Sequence, residues 1–302
     1  MRVVCLSGGV GGAKLARGLY DLLGPDLTVV GNVGDDVEVL GVSVSPDLDS
    51  LLYALAGIND EERGWGRVGE TWRALESARD WGGDAWFQLG DLDLGLHLAR
   101  TESLARGEPL SAVTRGLAGA AGLTATLLPA TDDRLRTHVV TPAGTFAFQE
   151  WFVARRHEDE VDDLLYHGAD RASAAPGVVE SIAAAEALVF APSNPYVSLL
   201  PILAVASIRD AIAARRVRSV AVSPLIGGRS VKGPLDRMLS RMAGGTTPSH
   251  IAGCYAGLLD ALVIDPADEP AEADVALVVT PTLMEDRAAS RRLAETVLEV
   301  AA

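Results

Sequence analysis

An α/β protein with a Rossmann-like, mostly parallel sheet, helices on both faces and a smaller inserted α+β subdomain is the fold class the sequence predicts. Three observations predict it. Apolar runs such as RVVCL at 2–6 and ALVFA at 187–191 read as strands buried on both faces, the usual state of parallel strands. Such runs alternate with segments of helical spacing along most of the 302 residues. Between about 125 and 175 the pattern changes to period-two alternation around a PAG turn, which marks an insertion. Residues 1–124 and 176–302 then form the core, and 125–175 the subdomain.

Taken in order, the strand at 2–6 is followed by Gly8, Gly9, Gly11 and Gly12, then by AKLARGLYDLL with Leu15, Leu19, Leu22 and Leu23 at helical spacing up to Gly24. Strand, glycine loop and helix turn backbone N–H groups toward an anion, so a phosphate is the natural guest. Neither standard template fits. Ala13 and Leu15 stand where a Walker A motif has Gly and Ser or Thr, and Lys14 takes the last place of G-x-G-x-x-G. LTVVGN at 27–32 is the second strand, and Asn32 ends it where a dinucleotide-binding unit carries an acid, which weighs against NAD.

The stretch 32–49, NVGDDVEVLGVSVSPDLD, gathers Asp35, Asp36, Asp47 and Asp49. Asp47 or Asp49 can cap a helix that Gly57 closes, but a second acid in the first turn exceeds what capping needs. Carboxylate oxygens are the usual Mg²⁺ ligands, with substrate phosphates completing the octahedron. Asp35, Asp36, Asp47 and Asp49 are therefore the candidate metal ligands, and Mg²⁺ the expected cofactor.

Trp65 and Arg67 fall in a loop before an amphipathic helix around Trp72 and Leu75. LGDLDLGLHLAR at 89–100 places Asp91 and Asp93 at a helix start, where they either complement the helix dipole or serve a site. His97 reads as a packed histidine rather than a ligand. Residues 110–122 form a small-residue helix, 137–153 a hairpin, and ARRHEDEVDD a solvated turn. A helix at 176–185 leads into the strand ending in PSNP at 192–195, and IRDAIAARR is a helix. VRSVAVS is a strand that ends in PLIGGRSVKGP, a second glycine loop carrying Arg229 and Lys232, the basic groups best placed to meet a phosphate. ALVID and VALVVT are strands, and the last helix runs from about 285.

A net charge of −15 argues against a nucleic-acid surface, which needs clustered Lys and Arg. The two cysteines, Cys5 and Cys254, read as buried thiols of a reducing compartment. No apolar run reaches the roughly 20 residues of a membrane span. The expectation is a soluble, cytoplasmic protein without membrane or nucleic-acid partners.

SGGVGGAK at 7–14, NVGDD at 32–36, SPDLD at 45–49, LGDLDLGLHLAR, FQEWFV at 148–153, APSNP at 191–195, SPLIGG at 223–228 and TLMED at 282–286 together resemble the CofD family. These are the 2-phospho-L-lactate transferases of coenzyme F-420 biosynthesis, with actinobacterial members called FbiA. The resemblance implies a Rossmann-like homodimer that moves a phospholactyl or phosphoenolpyruvyl group from a guanosine-diphosphate-activated donor to a hydroxyl of the deazaflavin Fo, releasing GMP. It implies Fo contacts at Asp49 and Gln88, where some relatives have lysine in place of Gln88. It also implies guanosine diphosphate contacts at Gly8, Gly9, Gly11 and Gly12, at Ser193, Asn194 and Pro195, and at Ser223, Gly227 and Gly228. Lys232 is added to that set from its own chemistry. Asp35 and Asp49 are the catalytic candidates, holding the metal, orienting the Fo hydroxyl and accepting its proton. The alternative is a non-catalytic nucleotide-sugar-binding regulator of the YvcK type; SPDLD with LGDLD favours the enzyme.

Overall fold

The computed structural model describes residues 1–269 and 273–302. In chain order the first half comprises β1 (Val3–Ser7), α1 (Gly9–Leu23), β2 (Leu27–Gly31), β3 (Val37–Val39), β4 (Val42–Val44), α2 (Pro46–Ala56), α3 (Arg73–Asp80), α4 (Asp91–Ala105), α5 (Leu110–Ala120) and β5 (Thr126–Pro129). Next come β6 (Arg136–Thr141), β7 (Gly144–Ala147), β8 (Asp163–His167), α6 (Val178–Ala184), β9 (Ala187–Phe190), α7 (Leu200–Leu203) and α8 (Ala206–Ala213). The chain closes with β10 (Ser219–Val222), β11 (Leu225–Ile226), β12 (Arg229–Ser230), α9 (Leu235–Met242), α10 (Pro248–Gly253), β13 (Ala261–Ile264), β14 (Ala276–Val279) and α11 (Arg287–Ala301).

Seven strands form one sheet in the order β14-β13-β10-β9-β1-β2-β5, every pair parallel. Every residue of β1, β9, β10 and β13 is buried, as the unbroken apolar runs require when helices flank the sheet. The order of connection reverses between β1 and β9: the chain first moves from β1 to β2 and β5, then returns to the other side. A crevice opens outside the carboxyl ends of strands at such a point, and this is where open α/β sheets bind ligands. Ser7 and Gly8 end β1 there, and the PSNP segment ends β9.

Three local expectations need correction. The first glycine run is not a loop, because Gly9, Gly11 and Gly12 already belong to α1 and only Gly8 separates strand from helix. The second is the turn of the β11–β12 hairpin, in which Gly227 and Gly228 both have positive φ (57° and 71°). A two-residue type I′ turn demands that conformation at both places, so glycine is needed there for the turn itself.

The third concerns the insertion, which begins later than 125. Thr126–Pro129 is the edge strand β5 of the main sheet, paired with β2. The inserted sheet has three antiparallel strands in the order β7-β6-β8. The expected hairpin ends at Ala147, and Glu150–Ala154 form a π-helical turn. The acidic segment expected to be a solvated turn leads directly into β8, whose period-two signal is carried by five residues. The acidic stretch 32–49 comprises a tight turn through Asp35 and Asp36, the β3–β4 hairpin, and the start of α2. Among the described residues no single helix is long and apolar enough to cross a membrane.

Candidate active site

Two carboxylates meet at the switch point through one amide. Asn32, fully buried at the end of β2, donates from Nδ2 to Asp47 Oδ2 at 2.9 Å, to Asp35 Oδ1 at 3.3 Å and to the Val197 carbonyl at 3.1 Å. Its own Oδ1 accepts the Gly34 N–H at 2.8 Å, which orients the amide. Asp47 Oδ1 accepts the Gly9 N–H at 2.6 Å, so the N-terminus of α1 already faces a protein carboxylate. Burial, and then the charge of Asp47, push the Asp35 carboxyl well above the usual carboxylate range. Burial likewise pushes Asp47 up to about 6, and Asp36 up to about 7 against the pull of Arg136 and Arg100. Asp36 Oδ1 is buried without a partner.

The glycines serve this packing. A Cβ on Gly8 would meet the Asp47 carboxylate, one on Gly12 the hydroxyls of Ser7 and Ser193, and one on Gly11 the Pro192 carbonyl at 2.7 Å. Ser193 closes the crevice by accepting the Gly8 N–H at 3.1 Å and donating to the Gly8 carbonyl at 2.7 Å. Asn194 accepts the Tyr196 N–H at 3.0 Å as a cap, and Pro195 is buried behind it. Lys14 points away from the crevice and donates to the Met284 carbonyl at 2.6 Å, tying α1 to the TLMED segment.

Asp49 is placed differently. It is 5% exposed, and the Arg100 guanidinium engages both of its oxygens, with Nη1–Oδ2 at 3.0 Å. His97 Nδ1 stands 3.6 Å from Asp49 Oδ2, and burial lowers the imidazole to about 4, so it is neutral at pH 7. Asp93, His97 and Arg100 are the buried residues of α4, while Leu92 and Leu98 on the same helix are exposed. This helix turns its polar stripe inward, against Asp49 and Tyr53 of α2. Beside it the Arg63 guanidinium lies between the rings of Trp65 and Trp72, at 5.0 and 4.7 Å from their centroids. Tyr53 Oη and the Asp93 carboxylate face each other, while Arg63 Nη1, Arg67 Nε and Trp72 Nε1 are buried without hydrogen-bond partners. Gln88 is exposed at the approach to α4.

The remaining expected residues lie along the β11–β12 hairpin. Ser223 is buried and accepts the Leu225 N–H at 3.2 Å, and Asp268 accepts the Gly228 N–H at 3.0 Å. Gly227, Gly228 and Arg229 line a cleft of about 660 Å³ with Trp151, Arg237 and Thr246. Lys232 does not line it; its Nζ lies against Gly64 of the loop between α2 and α3.

Among the described residues no group of three or more His, Cys, Asp or Glu side chains is placed to hold a cation. The donor set is the pair Asp35 and Asp47, with Asp36 adjacent. That suits Mg²⁺, which takes one or two protein carboxylates and completes its shell with water and substrate phosphate. The raised carboxyls and the orphaned Asp36 oxygen point the same way, since a cation would relieve both. Asp49, its charge matched by Arg100, does not fit as a ligand.

The family model described as 2-phospho-L-lactate transferase CofD matches residues 3–294. The chain belongs to the CofD family. Among CofD relatives, a phosphoenolpyruvate transferase of Kitasatospora aureofaciens is 42% identical over 314 aligned residues, covering 100% of this chain and 98% of the relative. Those of Streptomyces coelicolor and Mycolicibacterium smegmatis are 40% and 38% identical over 100% of this chain and 98% and 99% of their own lengths. This CofD chain is accordingly a transferase of coenzyme F-420 biosynthesis, of the phosphoenolpyruvate or phospholactate class. A UPF0052-family protein of Bacillus halodurans superposes with a TM-score of 0.64 at 17% identity, covering 98% of both chains, and shares the fold.

Sequence reasoning gave no role to Asn32, Gln149 or Arg100. For Arg100 a signal existed: Asp93, His97 and Arg100 repeat at helical spacing inside an otherwise apolar helix. Asn32 is marked in the sequence only as a strand end that lacks an acid, and Gln149 only by its place in the FQEWFV motif.

Proposed function

We propose that this chain transfers a phosphoenolpyruvyl or phospholactyl group from a guanosine-diphosphate-activated donor to a hydroxyl of the deazaflavin Fo, with Mg²⁺, releasing GMP. The observation that carries the reading is the Asp35–Asn32–Asp47 arrangement at the switch point: two buried carboxylates joined through one amide, where a diphosphate would sit. The phosphoenolpyruvate transferase names of the relatives favour the enolpyruvyl donor.

In this reading the donor lies along the crevice toward the cleft beside the β11–β12 hairpin. Fo enters on the α2–α4 side, where Gln88, Asp49, the facing Tyr53 and Asp93 and the unpartnered Trp72 Nε1 offer polar contacts. The acceptor oxygen forms the new bond to the phosphorus carrying the organic acid, the bridging P–O bond to GMP breaks, and the hydroxyl proton leaves to a base. Asp35 is the carboxylate suited to take that proton. Asp49, held by Arg100, serves as a fixed wall of the acceptor pocket. Mg²⁺ held by Asp35 and Asp47, with Asp36 at hand, would offset charge building on the leaving phosphate. The homodimer that the resemblance implies and the cytoplasmic setting expected from the sequence belong to the same reading.

The deciding experiment measures GMP release with Mg²⁺ and each guanosine donor, with and without Fo, and follows the deazaflavin product by mass. Fo-dependent release is the expected outcome. Binding of the guanosine donor without turnover in either condition would replace the enzyme by a nucleotide-binding regulator.

A further inference from the structure

The inserted sheet does more than pack on the core. At three points the insertion, through β6 and the helical turn after β7, holds the turn that carries Asp35. The Thr137 N–H donates to the Gly34 carbonyl at 2.7 Å, Arg136 Nη1 reaches the Val33 carbonyl at 3.4 Å, and Gln149 Nε2 donates to Asp35 Oδ2 at 3.2 Å. The first two fix the backbone of the turn. Only Gln149 touches the carboxylate.

Gln149 is 6% exposed, and a buried amide is costly unless it is hydrogen-bonded. Its place is fixed from both sides by aromatic anchors. Phe148 is 9% exposed and Trp151 1%, and Trp151 Nε1 donates to the Asp159 carbonyl at 3.2 Å. The chain winds there into the π-helical turn Glu150–Ala154, an irregularity found often at functional sites. Asp35, by contrast, sits in a tight turn outside any helix or strand. Without Gln149 its carboxylate would keep from this network only the 3.3 Å hydrogen bond from Asn32.

We propose that Gln149 is a positioning residue: the insertion carries it to Asp35 so that the carboxylate is held at the angle at which it and Asp47 share a divalent cation. The proposal rests on the cation reading given above. Partners that orient a ligating carboxylate commonly change metal affinity by about ten- to a hundredfold when removed.

The test is Mn²⁺ binding to the full chain, followed by electron paramagnetic resonance titration, for the wild type, Gln149→Met and Thr141→Val. Gln149→Met keeps length and volume but removes the amide. Thr141 is a buried residue of the same inserted sheet whose hydroxyl bonds to the Gly144 carbonyl at 2.9 Å, away from the acidic turn. The expected result is an affinity about tenfold or more weaker in Gln149→Met and unchanged in Thr141→Val. If Gln149→Met does not fold, Gln149→Asn, which retracts the amide by one methylene, should show the same loss. Wild-type affinity in the Gln149 variant, or an equal loss in Thr141→Val, would overturn the proposal while leaving the cation reading intact. A wild type that binds no Mn²⁺ would remove the cation reading and this inference together, with Fo-dependent GMP release still decided by its own assay.

Discussion

Arg100 holds a buried ion pair with Asp49. It is 2% exposed, forks onto Asp49, and also donates to the Ser43 carbonyl at 3.3 Å. Arg100→Met would fill the same space but leave the Asp49 carboxylate buried without its partner, at a cost of about 3–5 kcal/mol. Urea unfolding should show that loss, and the double variant with Asp49→Asn should recover much of it; a loss below about 1 kcal/mol would mean that the pair is not formed as described. At this scale the sequence was legible where chemistry is written in one short stretch. The aspartates of 32–49 stand out because acids at the end of an apolar strand are conspicuous, and Asp35 and Asp47 do meet at the crevice. Which of the four is neutralised was not legible, because the residue that pairs with Asp49 lies 51 positions later. Gln149 meets Asp35 across 114 positions and stood out by neither charge nor periodicity.

Between elements, what matters is how closely α1 approaches the turn after β9. Glycine in the middle of a helix is ordinarily a weakness of about 1 kcal/mol relative to alanine. Gly95 in α4 and Gly119 in α5 conform: no atom lies within 4 Å of a Cβ added at either place. Gly95→Ala should therefore raise stability by about 0.5–1 kcal/mol. Gly11→Ala meets the Pro192 carbonyl, a backbone atom with no freedom to swing aside, and should lower it by about 1–3 kcal/mol. Thermal unfolding of the two variants beside the wild type checks the opposite signs. The glycines at 8–12 and 227–228 were legible as special, but the physical reason inferred for them was incomplete. Close packing and a type I′ turn demand the same residue that a phosphate cradle does, and one sequence cannot separate the three demands.

Across the whole molecule, the ends of the chain are held together. Asp21 on α1 pairs with Arg287 of α11 at 2.6 Å and with Arg17 at 3.1 Å. Burial raises the Asp21 carboxyl, but the Arg287 hydrogen bond and the Arg17 charge outweigh it and leave it below its ordinary value. The pair therefore stabilises the fold above the usual carboxylate range, and that contribution is lost as the pH falls through the lowered value. Arg287→Gln should cost up to about 1 kcal/mol at neutral pH, with Arg287 itself 60% exposed. The difference in melting temperature between variant and wild type should shrink toward zero at acid pH. The architecture itself was the most legible level, since unbroken apolar runs separated by helical spacing admit few arrangements besides a parallel sheet. Strand order was not legible, and it has a consequence for how the protein is made. Strand β1 is central, flanked by β2 and β9, and is made before either of them. Its edge toward β2 can close once Gly31 has emerged, but the other waits for Phe190. At about 5–20 residues per second, a nascent chain would carry the unpaired N–H and C=O groups of that edge for roughly 10–30 s. An edge left open that long is a template on which a second nascent chain could pair.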